Sequence, residues 1–364
     1  APADGVVVSQ ASFTASHELV SLMFLSATGD SLIADPRWYP TRRVETHMLE
    51  GLIAGPQSHL SDALVNAIPS GTSISAGGIE LSDHVAKVSL NGTLPSDDRG
   101  KQLMAWEISQ TLQRSGRVNS VEINVGGEAL PSSGLPSQPS FDLDSAVALN
   151  SNGLVRIDGR SVSTRILPIT PSSSASLPAV SPVSSSLLAW REDDRLVLVD
   201  SSTNATRVVD GSEGQYSPSI DRFGWVWDIP QGGNLRASRI DGQNLAIASE
   251  NQSLNGVSAV RVSPDGARAL LLRQVGGSTS AWIAGIERRG SGEPIALTDP
   301  EPLAGLSTGV DDVSWAGRST VVAVRQGGLR AGNDQVDEVS LVTVPVGGFP
   351  SVLALPTGTQ RLSA

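Results

Sequence analysis

Gly305-Leu306-Ser307-Thr308-Gly309 carries the G-x-S-x-G spacing of a serine nucleophile. That chemistry needs a strand before the serine, a helix after it and a histidine further along the chain to take the hydroxyl proton. The last histidine is His84, and Val310-Asp311-Asp312 continues as strand-like sequence, so the motif is expected to be a loop between strands. The four histidines, His17, His47, His59 and His84, form no H-x-x-x-H pair and flank no acidic cluster. This spacing speaks against a zinc site. Asp193-Asp194 and Asp311-Asp312 lack the register of a calcium loop and are expected to be solvated turn acids. Glu50, Glu107 and Glu122 have no partner at a spacing that would identify a general acid–base pair. The chain has no cysteine, which removes disulfides, thiolate metal sites and a cysteine nucleophile. No catalytic residue, metal or cofactor is expected, and the chain reads as a protein that is not an enzyme.

Binding chemistry is easier to place. Arg37-Trp38-Tyr39, followed by Arg42-Arg43, combines aromatics and arginines as interface hot spots do. These five residues are the candidate partner-binding site, the alternative being a loop that covers its own core. Trp225, Trp227, Trp282 and Trp315 lie on strand-like segments and are expected to be packing residues, with an aromatic binding patch as the other reading. The net charge is −11 and no Arg/Lys run exceeds two residues, so nucleic acid is not an expected partner. No apolar run approaches the roughly 18 residues of a membrane helix. The opening APADGVVVSQ lacks a charged segment followed by an apolar core, so any targeting segment is expected outside this sequence.

Elements that would carry these residues follow from periodicity and punctuation. Val20–Leu25 is a short apolar run closed by Gly29-Asp30 and reads as a buried strand. Asp35-Pro36 and Tyr39-Pro40 impose extended or turn geometry. Val44, Met48, Leu49, Leu52 and Ile53 share one helical face, with Thr41 or a neighbour as cap and Gly55-Pro56 as stop. Ser58 would cap a second helix with Leu60, Leu64, Val65 and Ile68 on its apolar side, ended by Pro69. Gly71 and Gly77-Gly78 break the following chain into short strands. A strand then covers 85–90. Pro95-Ser96-Asp97-Asp98 opens a longer helix that buries Met104, Ala105, Ile108 and Leu112, and Val121, Ile123 and Val125 close with a strand.

From about residue 141 the sequence changes character. Segments 147–167, 186–209, 219–243, 259–286 and 312–346 each give strand, turn, apolar strand, turn and strand. Their spacing of about 40–50 residues is that of propeller blades. Ser263-Pro264-Asp265-Gly266 has the turn chemistry that joins two strands of a blade. Five candidate blades are visible, the first weak, and the closing TQRLSA looks like the start of another. Closure of the ring is expected either from the N-terminal segment or, as the favoured alternative, from residues beyond Ala364. The fold class is multidomain: an α+β module over 1–130, a Pro/Ser-rich linker over 131–140, and an all-β propeller over 141–364.

FLSATGDSLIADPRWYP, LEGLIAGPQSHLSDALVNAIPSGT, VAKVSLNGTL and QLMAWEISQTLQRSGRVNSVEINVGG together resemble the GerMN domain. With the propeller-like second half, the whole chain is similar to the actinobacterial LpqB lipoprotein family. The resemblance implies a lipoprotein on the extracytoplasmic face of the cell membrane, anchored through a cysteine upstream of Ala1. It further implies a partner, the extracellular domain of the MtrB sensor histidine kinase of the MtrAB two-component system. The expected role is in signalling, envelope homeostasis and cell division. A cell-wall glycan or peptidoglycan binder is the alternative, and a propeller hydrolase comes third.

Overall fold

His17–Ser26 forms strand β1, whose centre is the apolar run read from the sequence, and a short helix α1 (Gln10–Thr14) precedes it. The computed structural model describes residues 8–353 apart from 144, 152, 159–160, 166–169, 213, 231–233, 250, 252–253 and 326–338. Two units divide the chain, Ala1–Gln138 and Pro139–Ala364.

In the first unit β1 pairs antiparallel with β2 (Leu32–Pro40), from Leu25 opposite Leu32 to His17 opposite Pro40. β2 is a sheet edge, which tolerates Pro36 and Pro40 because no neighbouring strand needs their missing amides. At its start the side-chain amide of Gln138 brackets Leu32. The Leu32 amide donates to Oε1 at 3.2 Å, and Nε2 donates to the Leu32 carbonyl at 3.1 Å. Helix α2 (Val44–Ala54) buries Val44, Met48, Leu49 and Leu52 and ends at Gly55, whose φ of +97° suits glycine.

The expected second helix does not form. Ser58–Leu60 is a single 3-10 turn, and Leu64–Val65 is strand β3, paired to Ser26 and Leu25 of β1. A helix this short is marginal by itself, while the open side of β1 offers ladder bonds. Asn66 fixes the exit: its Nδ2 donates to the Leu52 carbonyl at 2.8 Å and its Oδ1 accepts the Ile68 amide at 2.9 Å.

A second sheet runs β4 (Ser73–Ser82), β5 (Val85–Asn91), β6 (Ser120–Val125), β7 (Glu128–Ala129). Gly77-Gly78 does not break β4 as expected. The register shifts between Ile74 opposite Leu90 and Ile79 opposite Val88, so the glycines form a bulge within one strand. β5 and β6 are parallel, and the crossover between them carries α3 (Asp98–Gln113). Asp97 caps α3 by accepting the Gly100 amide at 2.8 Å. The predicted face is buried, together with Trp106, Glu107 and Thr111.

The second unit is a series of antiparallel sheets. The first holds β8 (Ser145–Asn150), β9 (Gly153–Asp158) and β10 (Ser161–Arg165). The second holds β11 (Ala175–Val180), β12 (Leu187–Glu192), β13 (Arg195–Asp200) and β14 (Ala205–Val209). The third holds β15 (Ser219–Ile220), β16 (Trp225–Asp228), β17 (Leu235–Arg239) and β18 (Asn244–Ile247). The fourth holds β19 (Val257–Val262), β20 (Arg268–Val275), β21 (Ser278–Arg288) and β22 (Pro294–Leu297), with β23 (Glu301–Pro302) also paired to β21. The fifth holds β24 (Val310–Trp315), β25 (Thr320–Arg325), β26 (Ser340–Pro345) and β27 (Ser351–Leu353). TQRLSA lies outside the described residues.

Alternation explains why these sheets stack radially. In the second sheet Leu188, Trp190, Val197 and Val199 pack with Val147 and Leu154 of the first. Ala189, Leu196 and Leu198, one residue out of phase, pack with Ile220 and Val226 of the third. Trp225 and Trp227 join Val260, Leu271 and Ile286 between sheets three and four, and Leu270, Leu272 and Ile283 join Val313, Trp315 and Val321 between four and five. A sheet buried on both faces needs continuous apolar strands. Inner strands β8, β11 and β24, the Ser217–Ile220 stretch and Arg261-Val262 together line one cavity of about 150 Å³, the channel of a β-propeller.

Among the described residues no helix is long and apolar enough to cross a membrane.

Candidate functional site

Alternation along β2 splits the Arg37-Trp38-Tyr39 group. Arg37 and Tyr39 face α2, whereas Trp38 lies opposite Leu19 and meets the Phe13 ring edge-on at 5.0 Å, with Phe13 stacked on His17 at 4.4 Å. Arg37 is a structural clamp. Its guanidinium donates to Asp35 at 2.7 Å and to the Gly55 carbonyl at 2.6 Å, closing the end of α2. Asp35 is fully buried and also accepts the Gln57 amide at 3.0 Å and the Gln57 side chain. Tyr39 stacks on His47, and its hydroxyl occupies the space that a Cβ on Gly51 would need, so only glycine fits there. Burial of the Tyr39 phenol raises its pKa above the usual value, against the opposing pull of Arg37.

Arg42 and Arg43 are exposed and follow β2 directly in sequence. Arg43 holds the N-cap position of α2 in the left-handed region, φ +56°, and makes no side-chain cap bond. Asn would suit that position better on both counts, and Gly on the first. Thr41 does not hold the N-cap position expected from the sequence; its hydroxyl donates to the Ser16 carbonyl at 3.3 Å. Phe13 and His17 were not legible as members of this patch. Twenty-odd residues separate them from Trp38, and only the β1–β2 register brings them together.

One acid of the module is deeply buried. Glu107 accepts the Ala67 amide at 2.9 Å, its Oε1 has no hydrogen-bond partner, and burial pushes its pKa to about 8 despite bonds from Ala67 and Leu25. It ties α3 to β1 and to the loop that follows β3, and faces no cavity among those described.

The propeller channel carries its own charges. Arg261 of β19 pairs with Asp312 of β24 at 3.5 Å and donates to the Ser217 carbonyl at 2.6 Å. Trp315 Nε1 donates to the Arg261 carbonyl at 2.9 Å. Asp312 is therefore not the solvated turn acid expected: it is buried, and it lines a second cavity beside Arg261, Tyr216 and Ser217. Around Ser307, the Leu306 amide donates to the Leu303 carbonyl and its carbonyl accepts the Ala281 amide, in a loop that passes directly into β24. No helix follows the serine, so the elbow geometry is not formed. Among the described residues, no three His, Asp or Glu side chains come together to hold a metal ion. Trp225, Trp227 and Trp315 are buried between sheets, and Trp282 is half-buried under Arg273 at 5.1 Å. They pack within and between sheets, and Trp315 also lines the 150 Å³ cavity.

Ser263–Gly266 forms the turn read from the sequence, joining β19 to β20, with Asp265 accepting the Ala267 amide at 3.1 Å and Gly266 at φ +76°. A related turn at Asp221–Gly224 receives a buried ion pair. Arg288 donates to Asp221 at 2.7 Å and to the Gly266 and Gly292 carbonyls at 2.8 and 2.7 Å. The ring of Phe223 lies 4.6 Å from that guanidinium. Burial lowers the Arg288 pKa, with Asp221 opposing.

Comparison with known proteins agrees with this architecture. Residues 151–360 match the family model described as the lipoprotein LpqB beta-propeller domain, and residues 21–131 match the one described as sporulation and spore germination. The lipoprotein LpqB of Mycolicibacterium smegmatis is 25% identical over 88% of this chain and 61% of its own length. That of Rhodococcus jostii is 22% identical over 88% and 60%. The chain spans about 60% of the length of the curated relatives it matches. Among solved structures, TolB from Acinetobacter baumannii covers 97% of this chain and 73% of its own at 14% identity and a TM-score of 0.42. The tandem GerMN domains of Bacillus subtilis GerM cover 54% and 63% at 15% identity and a TM-score of 0.25. Neither structural likeness bears on function. The chain belongs to the LpqB lipoprotein family, with a GerMN-type module leading into the family's β-propeller domain.

Proposed function

We propose that this protein is a non-enzymatic, membrane-anchored docking protein of the cell envelope whose first module engages the extracellular domain of a sensor histidine kinase. Family membership supports the setting, since the relatives are named lipoproteins. The observation that carries docking is Arg43: an exposed arginine held in left-handed backbone at a helix start where it caps nothing. Strain kept at such a position favours a role for the side chain over a role for the fold. Arg42 is also exposed, and the half-exposed Trp38–Phe13–His17 stack adds an apolar surface on the strand whose end leads into the two charges. Arg37 belongs to the scaffold of this patch. A partner that bound one signalling state of the kinase more tightly than the other would shift its equilibrium by that difference.

The test is binding of the full chain to the purified MtrB sensor domain. Trp38→Ala and the Arg42→Ala/Arg43→Ala pair should each weaken binding at least tenfold without lowering the melting temperature. Arg37→Ala should lower stability by about 3 kcal/mol, because it strands a buried carboxylate. Absence of binding by the wild type, or no loss in the patch variants, overturns the proposal. The ring stack also suits the second reading, a glycan binder, and co-sedimentation with peptidoglycan distinguishes the two.

A further inference from the structure

The residues that lead into the propeller lie across the mouth of its channel. Arg318, in the β24–β25 turn, donates to the Pro139 carbonyl at 2.6 Å, and its guanidinium stands 4.7 Å from the centre of the Phe141 ring. Arg222, in the β15–β16 turn, approaches the same ring at 5.9 Å. The Asp142 amide donates to the Pro182 carbonyl at 2.8 Å, and the Asp142 carboxylate pairs with Arg156 at 2.8 Å. Asp142 and Leu143 form part of the wall of the 150 Å³ cavity, whose other walls include Pro178, Pro264 and Trp315.

Each of these contacts is one that a separate peptide could make. A carbonyl meets an arginine, an aromatic ring meets the Arg318 guanidinium, a backbone amide meets a carbonyl, and a carboxylate meets another arginine. Arg222 stands further off from that ring and is itself stacked on Phe223 at 4.6 Å. Phe141 is half-buried while Asp142 and Leu143 are exposed, so the segment rests on the rim and is not threaded through a blade. Its removal leaves every sheet of the propeller intact.

We infer that this mouth is a peptide-binding site for extended segments with an aromatic residue followed by an acid, and that residues 139–143 occupy it in cis. The partner is a protein segment of that chemistry, and the strap competes with it from the high effective concentration of a tethered ligand. This site is separate from the Arg42–Arg43 patch, and its existence does not depend on which protein docks there.

The experiment uses the full chain and a fluorescently labelled peptide of residues 137–143, SQPSFDL, followed by anisotropy. Phe141→Ala should bind the peptide at least tenfold more tightly than the wild type, because its own strap no longer fills the aromatic slot. Asp142→Ala, which loosens the strap but keeps the ring, should do so as well, and this second variant serves if the first fails to fold. The same peptide with alanine in place of phenylalanine should not bind, and adding Arg318→Ala to Phe141→Ala should abolish binding. Lack of binding to either folded strap variant overturns the inference, as does binding equal to that of the wild type.

Discussion

At the scale of single residues, burial separates charges that hold the fold from charges that face outward. Glu107 is the sharpest case. Its folded pKa of about 8 lies above the 4.5 of an ordinary glutamate, so between those values the folded chain keeps a proton that the unfolded chain has lost. Stability must then fall with rising pH across that window, by about 1.4 kcal/mol per unit from this group. Glu107→Gln keeps an oxygen for the Ala67 amide and removes the proton. Urea midpoints at pH 5 and 7.5 should show a smaller decline for the variant than for the wild type, and an equal decline would contradict the assignment. Arg37 and Arg43 make the same contrast in sequence terms. They look alike as arginines near aromatics, yet one closes the end of α2 from inside and the other stands free of any capping bond. Residue type and spacing single out the five residues, but the inward or outward direction of each side chain depends on strand phase and on where α2 packs.

Elements show where local signals sufficed and where they yielded. α2 and α3 follow their apolar periodicity and their stops, and the Asp97 cap sits where the sequence places it. Leu60, Leu64 and Ile68 carry an equally helical spacing, yet Leu64–Val65 joins β1, because tertiary ladder bonds outweigh the propensity of so short a segment. The sheets were legible as repeats but their limits were not: β11 and β22 are brief edge strands that fall outside the segments read from the sequence. Phe141 offered one overlooked signal, an aromatic residue at the end of a Pro/Ser stretch. The start of α2 supports a prediction at this scale. Arg43→Asn supplies both a residue tolerant of left-handed backbone and a side-chain cap, and should stabilise the protein by about 1 kcal/mol in chemical denaturation. No gain, or a loss, would mean that the arginine is not strained there. A gain accompanied by weaker kinase binding would be the usual exchange of stability for function.

For the whole molecule, each unit owns its buried clusters. Trp106 packs with Met23, Leu25 and Leu32 in the first, and Trp227 packs between two sheets of the second. Multidomain chains of this kind do not unfold in one step. Calorimetry should resolve two transitions. Trp106→Ala should lower one and Trp227→Ala the other, each losing about 3–5 kcal/mol of local stability. A single transition displaced by both variants would show the units to be energetically one. Within the propeller, each cluster among the described residues joins a sheet to its successor in sequence, so packing energy accrues between neighbours along the chain.

The Gln138 side chain on β2 has a consequence beyond holding one strand. An open strand edge is a template on which a second molecule can lay its own strand, and proteins at high local density on a surface meet that hazard often. By spending one amide on the Leu32 backbone, the chain blocks the start of that template, and Pro36 and Pro40 spoil the remainder. The β2 edge is thus guarded against strand-to-strand self-association.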